Sequence, residues 1–168
     1  FDVAYKYRLY YSSYFYLKNS VRNGLKIDLK KSSEVLDSLH PSIYINDDDL
    51  DEFVNTPGPL DYAVGVRSYF QNKYKQSKIK LHKLIKGKHS IEVNYILGLI
   101  SISEKKFKRA GNYFKRCVHG ARNKKVTKVK NQQYLSTFKN RCIQQISRIS
   151  FSNEDYKSSL RLLSYVKK

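Results

Sequence analysis

Few residues of this chain combine a reactive side chain with a spacing that could support chemistry. Its four histidines, His40, His82, His89 and His119, each stand without a second ligand at metal-binding distance in sequence. Cys117 and Cys142 form neither a CxxC pair nor a Cys/His pattern, and two cysteines make no disulfide framework. Cys117 falls on an apolar repeat position and reads as a small buried thiol, which leaves the redox compartment undecided. The seven glycines are scattered, and Gly87-Lys88 lacks the remainder of a phosphate loop. Asp47, Asp48, Asp49, Asp51 and Glu52 crowd together without the spaced ligands, central glycine and closing glutamate of a calcium loop. Beyond residue 61 the carboxylates are Glu92, Glu104, Glu154 and Asp155, and the last two fall at an expected helix start. That leaves little for an acid/base pair. The expectation is a chain that is no enzyme and takes no cofactor, metal or small-molecule substrate.

Charge is the stronger signal. Residues 1–61 hold seven Lys/Arg and ten Asp/Glu, a net −3, whereas residues 62–168 hold 26 against four, a net +22. Such asymmetry predicts attraction to an acidic protein surface, a nucleic acid or an anionic membrane surface. The alternative is a solvated exterior that uses lysine. Arg122, Lys124, Lys125, Lys128 and Lys130, with Lys105, Lys106, Lys108 and Arg109, form a basic patch able to track phosphates. These segments lack the interleaved aromatics that stack on bases. The Lys, Ile, Asn and Tyr bias fits an AT-rich genome as well as a function. No apolar run approaches the ~20 residues that cross a bilayer, so the expectation is a soluble chain. A start at Phe1 rather than Met reads as a processed or partial form, with any targeting signal removed.

These residues must be positioned by helices. Val3, Tyr7, Tyr10, Tyr14, Leu17 and Val21 step by three and four, which predicts a helix over 1–20 whose face Tyr11 and Phe15 widen. Asn23-Gly24 stops it, and Leu25, Leu29, Leu36 and Leu39 belong to a second helix ended by His40-Pro41. Residues 1–40 thus form a hairpin, and 41–60 an acidic loop or linker closed by Pro57-Gly58-Pro59. Helices are expected at 60–72, 75–87, 91–103, 106–119, 131–150 and 154–166, with a basic insertion at 120–131. Ser152 or Asn153, followed by Glu154 and Asp155, starts the last one well.

From residue 58 onward the pattern repeats. Gly65, Tyr74, Ser77, Leu81 and Leu84 recur 33 residues later as Gly98, Phe107, Ala110, Phe114 and Cys117. A further offset of 49 carries Leu97, Phe107, Ala110, Phe114 and Cys117 onto Ile146, Tyr156, Ser159, Leu163 and Val166. A fixed period in this range marks repeats that bury their apolar faces against their neighbours. The stretch Leu97-Gly98, Phe107-Lys-Arg-Ala110, Tyr113-Phe114 and Cys117 resembles a tetratricopeptide repeat, with units at 58–90, 91–124 and 140–168. Where that family usually has a first-helix tryptophan, this chain has Asp61 and Asn94, and the terminal proline is absent.

The resemblance implies an all-α fold of antiparallel helix hairpins stacked over 61–168 as a short right-handed solenoid. Gly98 and Ala110 would permit a close crossing, with Phe107 and Phe114 filling the hollow beside it. It also implies a groove lined by Tyr62, Val66, Tyr69 and Phe70, then Tyr95, Leu99 and Ile102, then Arg141, Gln144 and Arg148. Its two best units are apolar where the family's carboxylate grip uses Lys, Asn and Arg. The implied partner is therefore an apolar or amphipathic segment of another protein with an acidic surface. The same residues would equally serve to pack against the chain's own N-terminal helix.

Overall fold

A computed structural model describes residues 10–23, 28–38, 61–87, 89–122 and 132–166, and every regular element among them is an α-helix. The chain divides into two compact units, Phe1–Leu81 and His82–Lys168. Residues 1–9, Gly24, Leu25, Leu39, His40, the acidic stretch 41–60 and Lys124, Lys125, Lys128 and Lys130, for which the sequence carries expectations, lie outside the described residues.

In the first unit, α1 (Tyr10–Arg22) and α2 (Leu29–Ser38) pack as a hairpin, and α2 also lies against α3 (Asp61–Phe70). The buried stripe of α1 includes Tyr14 and Leu17, with Val35 from α2 and the small Ser13 and Ser32 among the buried side chains. Phe15, expected to widen that stripe, is instead exposed. Helix α2 starts where Asp28 accepts the Lys30 and Lys31 amides at 3.0 and 3.1 Å, satisfying donors that a helix start leaves open. After α3, α4 (Tyr74–His82) turns back; its last residue belongs to the second unit.

The second unit contains α5 (Ser90–Ser103), α6 (Phe107–Arg122), α7 (Gln132–Ser152) and α8 (Tyr156–Leu163). Each packs on the next, and α5 also touches α7. Its core gathers Ile91, Ala110, Phe114, Cys117, Ala121, Leu135 and Cys142, with Tyr95, Leu99, Ile102, Phe138, Ile146 and Ile149 half-buried around them. The helix ends fall within a few residues of those expected from the sequence.

The turn joining the two helices of a hairpin is the same three times. Asn72, Lys105 and Glu154 take left-handed φ values of 58°, 57° and 63°. Just after each, the amide two residues past the helix cap closes back on a serine carbonyl: Lys73 on Ser68 at 2.8 Å, Lys106 on Ser101 at 2.8 Å and Asp155 on Ser150 at 3.0 Å. The left-handed residues add the inner bonds to Tyr69, Ile102 and Phe151. This paired closure satisfies carbonyls at the helix end and fixes the direction of the following helix. The next helix then opens with the amides of Ser77, Ala110 and Ser159 on the carbonyls of Lys73, Lys106 and Asp155.

Small residues let the two helices approach in each of the three hairpins α3–α4, α5–α6 and α7–α8. A Cβ on Gly65 would meet Leu81 Cδ2 at 2.5 Å, and one on Gly98 would meet Phe114 Cε1 at the same distance. Opposite Gly65, the Ser77 hydroxyl donates to the glycine carbonyl at 2.8 Å; opposite Gly98 stands the fully buried Ala110. In the third hairpin the pair is Ser147 and Ser159, whose hydroxyls lie 2.7 Å apart while Ser147 donates to the Ser159 carbonyl at 3.0 Å. Both serines are buried, and mutual hydrogen bonding removes most of the cost of burying their hydroxyls. Sequence reading picks out Ser159 but not Ser147.

Candidate functional site

The residues assigned to a partner groove divide into three groups. Tyr62 and Val66 of α3 are buried, Tyr69 is half-buried and Phe70 is exposed, its ring edge-on to Tyr69 at 5.2 Å. Of the four, Tyr62 and Val66 are therefore interior residues rather than an open lining. Tyr95, Leu99 and Ile102 of α5 are half-buried against the second-unit core. The Tyr95 ring stands edge-on to Phe138 of α7 at 5.6 Å, so this apolar strip runs beside the α5–α7 seam. Arg141, Gln144 and Arg148 of α7 are exposed. Arg141 places its guanidinium 6.0 Å from the Phe138 ring centre, which joins the charged part of the strip to its apolar part.

Two polar residues stand where the resembling family has tryptophan, and both are used structurally. Asp61 makes a buried ion pair with Lys80 of α4 at 3.0 Å, tying the two helices of that hairpin. Asn94 donates to the Ile85 carbonyl at 3.2 Å and to the Ser90 carbonyl at 2.6 Å, tying α5 to the turn before it. A shallow depression of about 600 Å³ lies at the start of α4, lined by Asn72, Tyr74, Gln76, Ile79 and lysines that include Lys73 and Lys75.

Of the basic patch, Lys105, Lys106, Lys108, Arg109 and Arg122 are described and all are exposed. Lys106 pairs with Glu104 at 2.9 Å. Lys105, Lys106, Lys108 and Arg109 cluster at the α5–α6 turn and the first turn of α6, whereas Arg122 ends that helix. The carboxylates of this half all sit at helix ends. Glu92 is buried in the first turn of α5, Glu104 caps its C-terminus, Glu154 holds the left-handed turn, and Asp155 caps α8. Asp155 accepts from the Ser158 side chain and from its amide at 3.1 Å, and these bonds hold the carboxyl below its ordinary range.

Other placements differ from expectation for identifiable reasons. Cys117 and Cys142, read as thiols, are joined in a disulfide that ties α6 to α7 within the core. Their 25-residue separation spans the basic insertion, so pairing depends on how the two helices fold back and is invisible to local spacing. Phe107 does not fill the hollow beside Gly98; it is 42% exposed as the first residue of α6. Its counterparts Tyr74 and Tyr156 lie over the turn, with rings 6.1 Å from Tyr69 and 5.1 Å from Phe151. An aromatic at this position covers the joint from the solvent side. Among the other residues assigned to repeat packing, Leu81, Leu97, Phe114 and Ser159 are buried, whereas Leu163 and Tyr156 are exposed on α8.

Comparison with protein-family models gives no match, and neither do comparisons with curated proteins and with solved structures, so the tetratricopeptide resemblance rests on this chain's own residues.

Proposed function

We propose that this chain is a non-enzymatic interaction scaffold of tetratricopeptide-like hairpins that binds another protein. The observation that carries this reading is the threefold recurrence of one joint: Gly65/Ser77, Gly98/Ala110 and Ser147/Ser159, each beside the same left-handed turn. Repeats of this kind build extended surface rather than an enclosed pocket. The strip of Leu99 and Ile102, continued by Arg141, Gln144 and Arg148, offers apolar area bordered by positive charge. An apolar or amphipathic segment with an acidic surround suits it. Commitment of the basic half's four carboxylates to helix ends argues further for binding over catalysis.

One observation favours a second reading. Lys105, Lys106, Lys108 and Arg109 are all exposed around a single turn, an arrangement that can neutralise successive phosphates of a nucleic acid. The two readings separate in an affinity capture from native extract with and without nuclease. Recovery of a protein after nuclease supports the scaffold, and loss of all bound material with nuclease replaces it with the nucleic-acid reading.

A further inference from the structure

Five of the ten strongly exposed large apolar side chains among the described residues, Phe151, Tyr156, Leu160, Leu163 and Tyr165, lie in the α7–α8 hairpin or just past α8. Tyr156, Leu160 and Leu163 fall at i, i+4 and i+7 and so share one face of α8. Leu160 is 70% and Leu163 46% exposed, and the Phe151 ring against Tyr156 extends the stripe past the turn.

The repeat register says what shape fits this face. Leu163 and Val166 stand where Phe114 and Cys117 stand one hairpin earlier. Phe114 and Cys117 are fully buried between α5, whose Gly98 receives the Phe114 ring, and α7, which brings Leu135 and Cys142 into their cluster. Leu163 keeps 46% exposure where Phe114 has none, whereas Phe107 and Gly111, the counterparts of Tyr156 and Leu160, stay open with α7 in place, so the register marks Leu163 as the position a further helix would cover. Charge then selects the occupant. Exposed Lys157 and Arg161 follow Tyr156 and Leu160 by one position on α8 itself. The acidic residues of this hairpin, Glu154 and Asp155, are confined to the turn, where Asp155 caps α8. A second copy of a chain with net charge +19 would bring like charge to this face.

We infer that the outer face of α8 docks an amphipathic helix of another protein, one with Leu-type residues at i, i+4 and i+7 and Asp or Glu along its flanks. This surface is separate from the α5–α7 strip, and the two are tested separately.

The probe is a fluorescein-labelled synthetic helix with Leu at those three positions and Glu on both flanks, titrated with the intact oxidised chain by anisotropy. Saturable binding is expected. L160Q/L163Q should weaken it about tenfold or more with no fall in thermal midpoint, as expected for anchors on an exposed face. L99Q, in the other strip, should leave this binding unchanged. K157Q/R161Q should weaken it at low salt and match the wild type near 1 M salt, where screening is nearly complete. Absence of binding, equal binding of a scrambled peptide, or full binding by L160Q/L163Q overturns the proposal. So does self-association in sedimentation that L160Q/L163Q abolishes, because the occupant is then a second copy.

Discussion

Replacing Gly98 with alanine tests the hairpin joint with one methyl group. In a helix interior that exchange ordinarily stabilises by about 1 kcal/mol, because alanine has less backbone freedom to lose. Here the new Cβ would lie 2.5, 2.7 and 2.8 Å from three carbons of the Phe114 ring, against the ~3.5–4.0 Å of an ordinary carbon contact. The ring must retreat by roughly 1 Å or more. It is fully buried in the same cluster as Ala110 and the Cys117–Cys142 disulfide, with the Tyr95 ring 6.0 Å away. Little space exists for that movement, so the cost belongs near the upper end of the ~1–3 kcal/mol of overpacking. The net expectation is a loss of about 2 kcal/mol, or a midpoint lower by about 4–8 °C for a chain of this length. Gly111 on α6 is the internal control: nothing lies within 4 Å of its added Cβ, so Gly111→Ala should raise the midpoint. Thermal melts followed by circular dichroism, under non-reducing conditions, compare the two. Phe114→Leu should cost less in the Gly98→Ala background than alone. If Gly98→Ala stabilises as much as Gly111→Ala, no close crossing exists at residue 98.

Three further outcomes are expected. Reducing the Cys117–Cys142 bond should lower stability by about 3–4 kcal/mol from released loop entropy, read as a lower denaturant midpoint in dithiothreitol; C117A/C142A should show no response to the reductant. Because hydrogen bonding depresses the Asp155 carboxyl, its capping contribution is complete above the ordinary carboxylate pKa of about 4 and is lost as pH falls through the lower folded value. Amide exchange in residues 156–163 should accelerate only in that acid range, and D155A should abolish the acid step. Replacing Lys124, Lys125, Lys128 and Lys130 with Gln should leave helical content and melting nearly unchanged while slowing association with an acidic partner, an effect that disappears near 1 M salt.

The sequence foretold the hairpins because a helix turn is local information. Gly65 and Gly98, each 12 residues before a small Ser77 or Ala110, fix two crossings from residue type alone. Ser147 escaped because a serine usually marks a cap or a surface; only its partner Ser159 makes it a small buried residue. The disulfide was illegible for the reason given by its long separation, which hides pairing from any local pattern. Tyr62 and Val66 show the limit on reading a groove from a helix face. Periodicity says which residues share a face, but their burial is decided by what packs over them. Phe107, Tyr74 and Tyr156 keep their repeat register yet lie at the turn, since the first residue of a helix projects past its partner.

The scaffold claim is tested most directly by titrating a purified protein captured from nuclease-treated extract with this chain in a calorimeter, and weighing that protein by intact mass spectrometry before and after. The account predicts saturable binding without nucleic acid, weakened by L99Q together with I102Q, and an unaltered partner mass. A requirement for nucleic acid in binding, or a changed partner mass that tracks turnover by the chain, would contradict it.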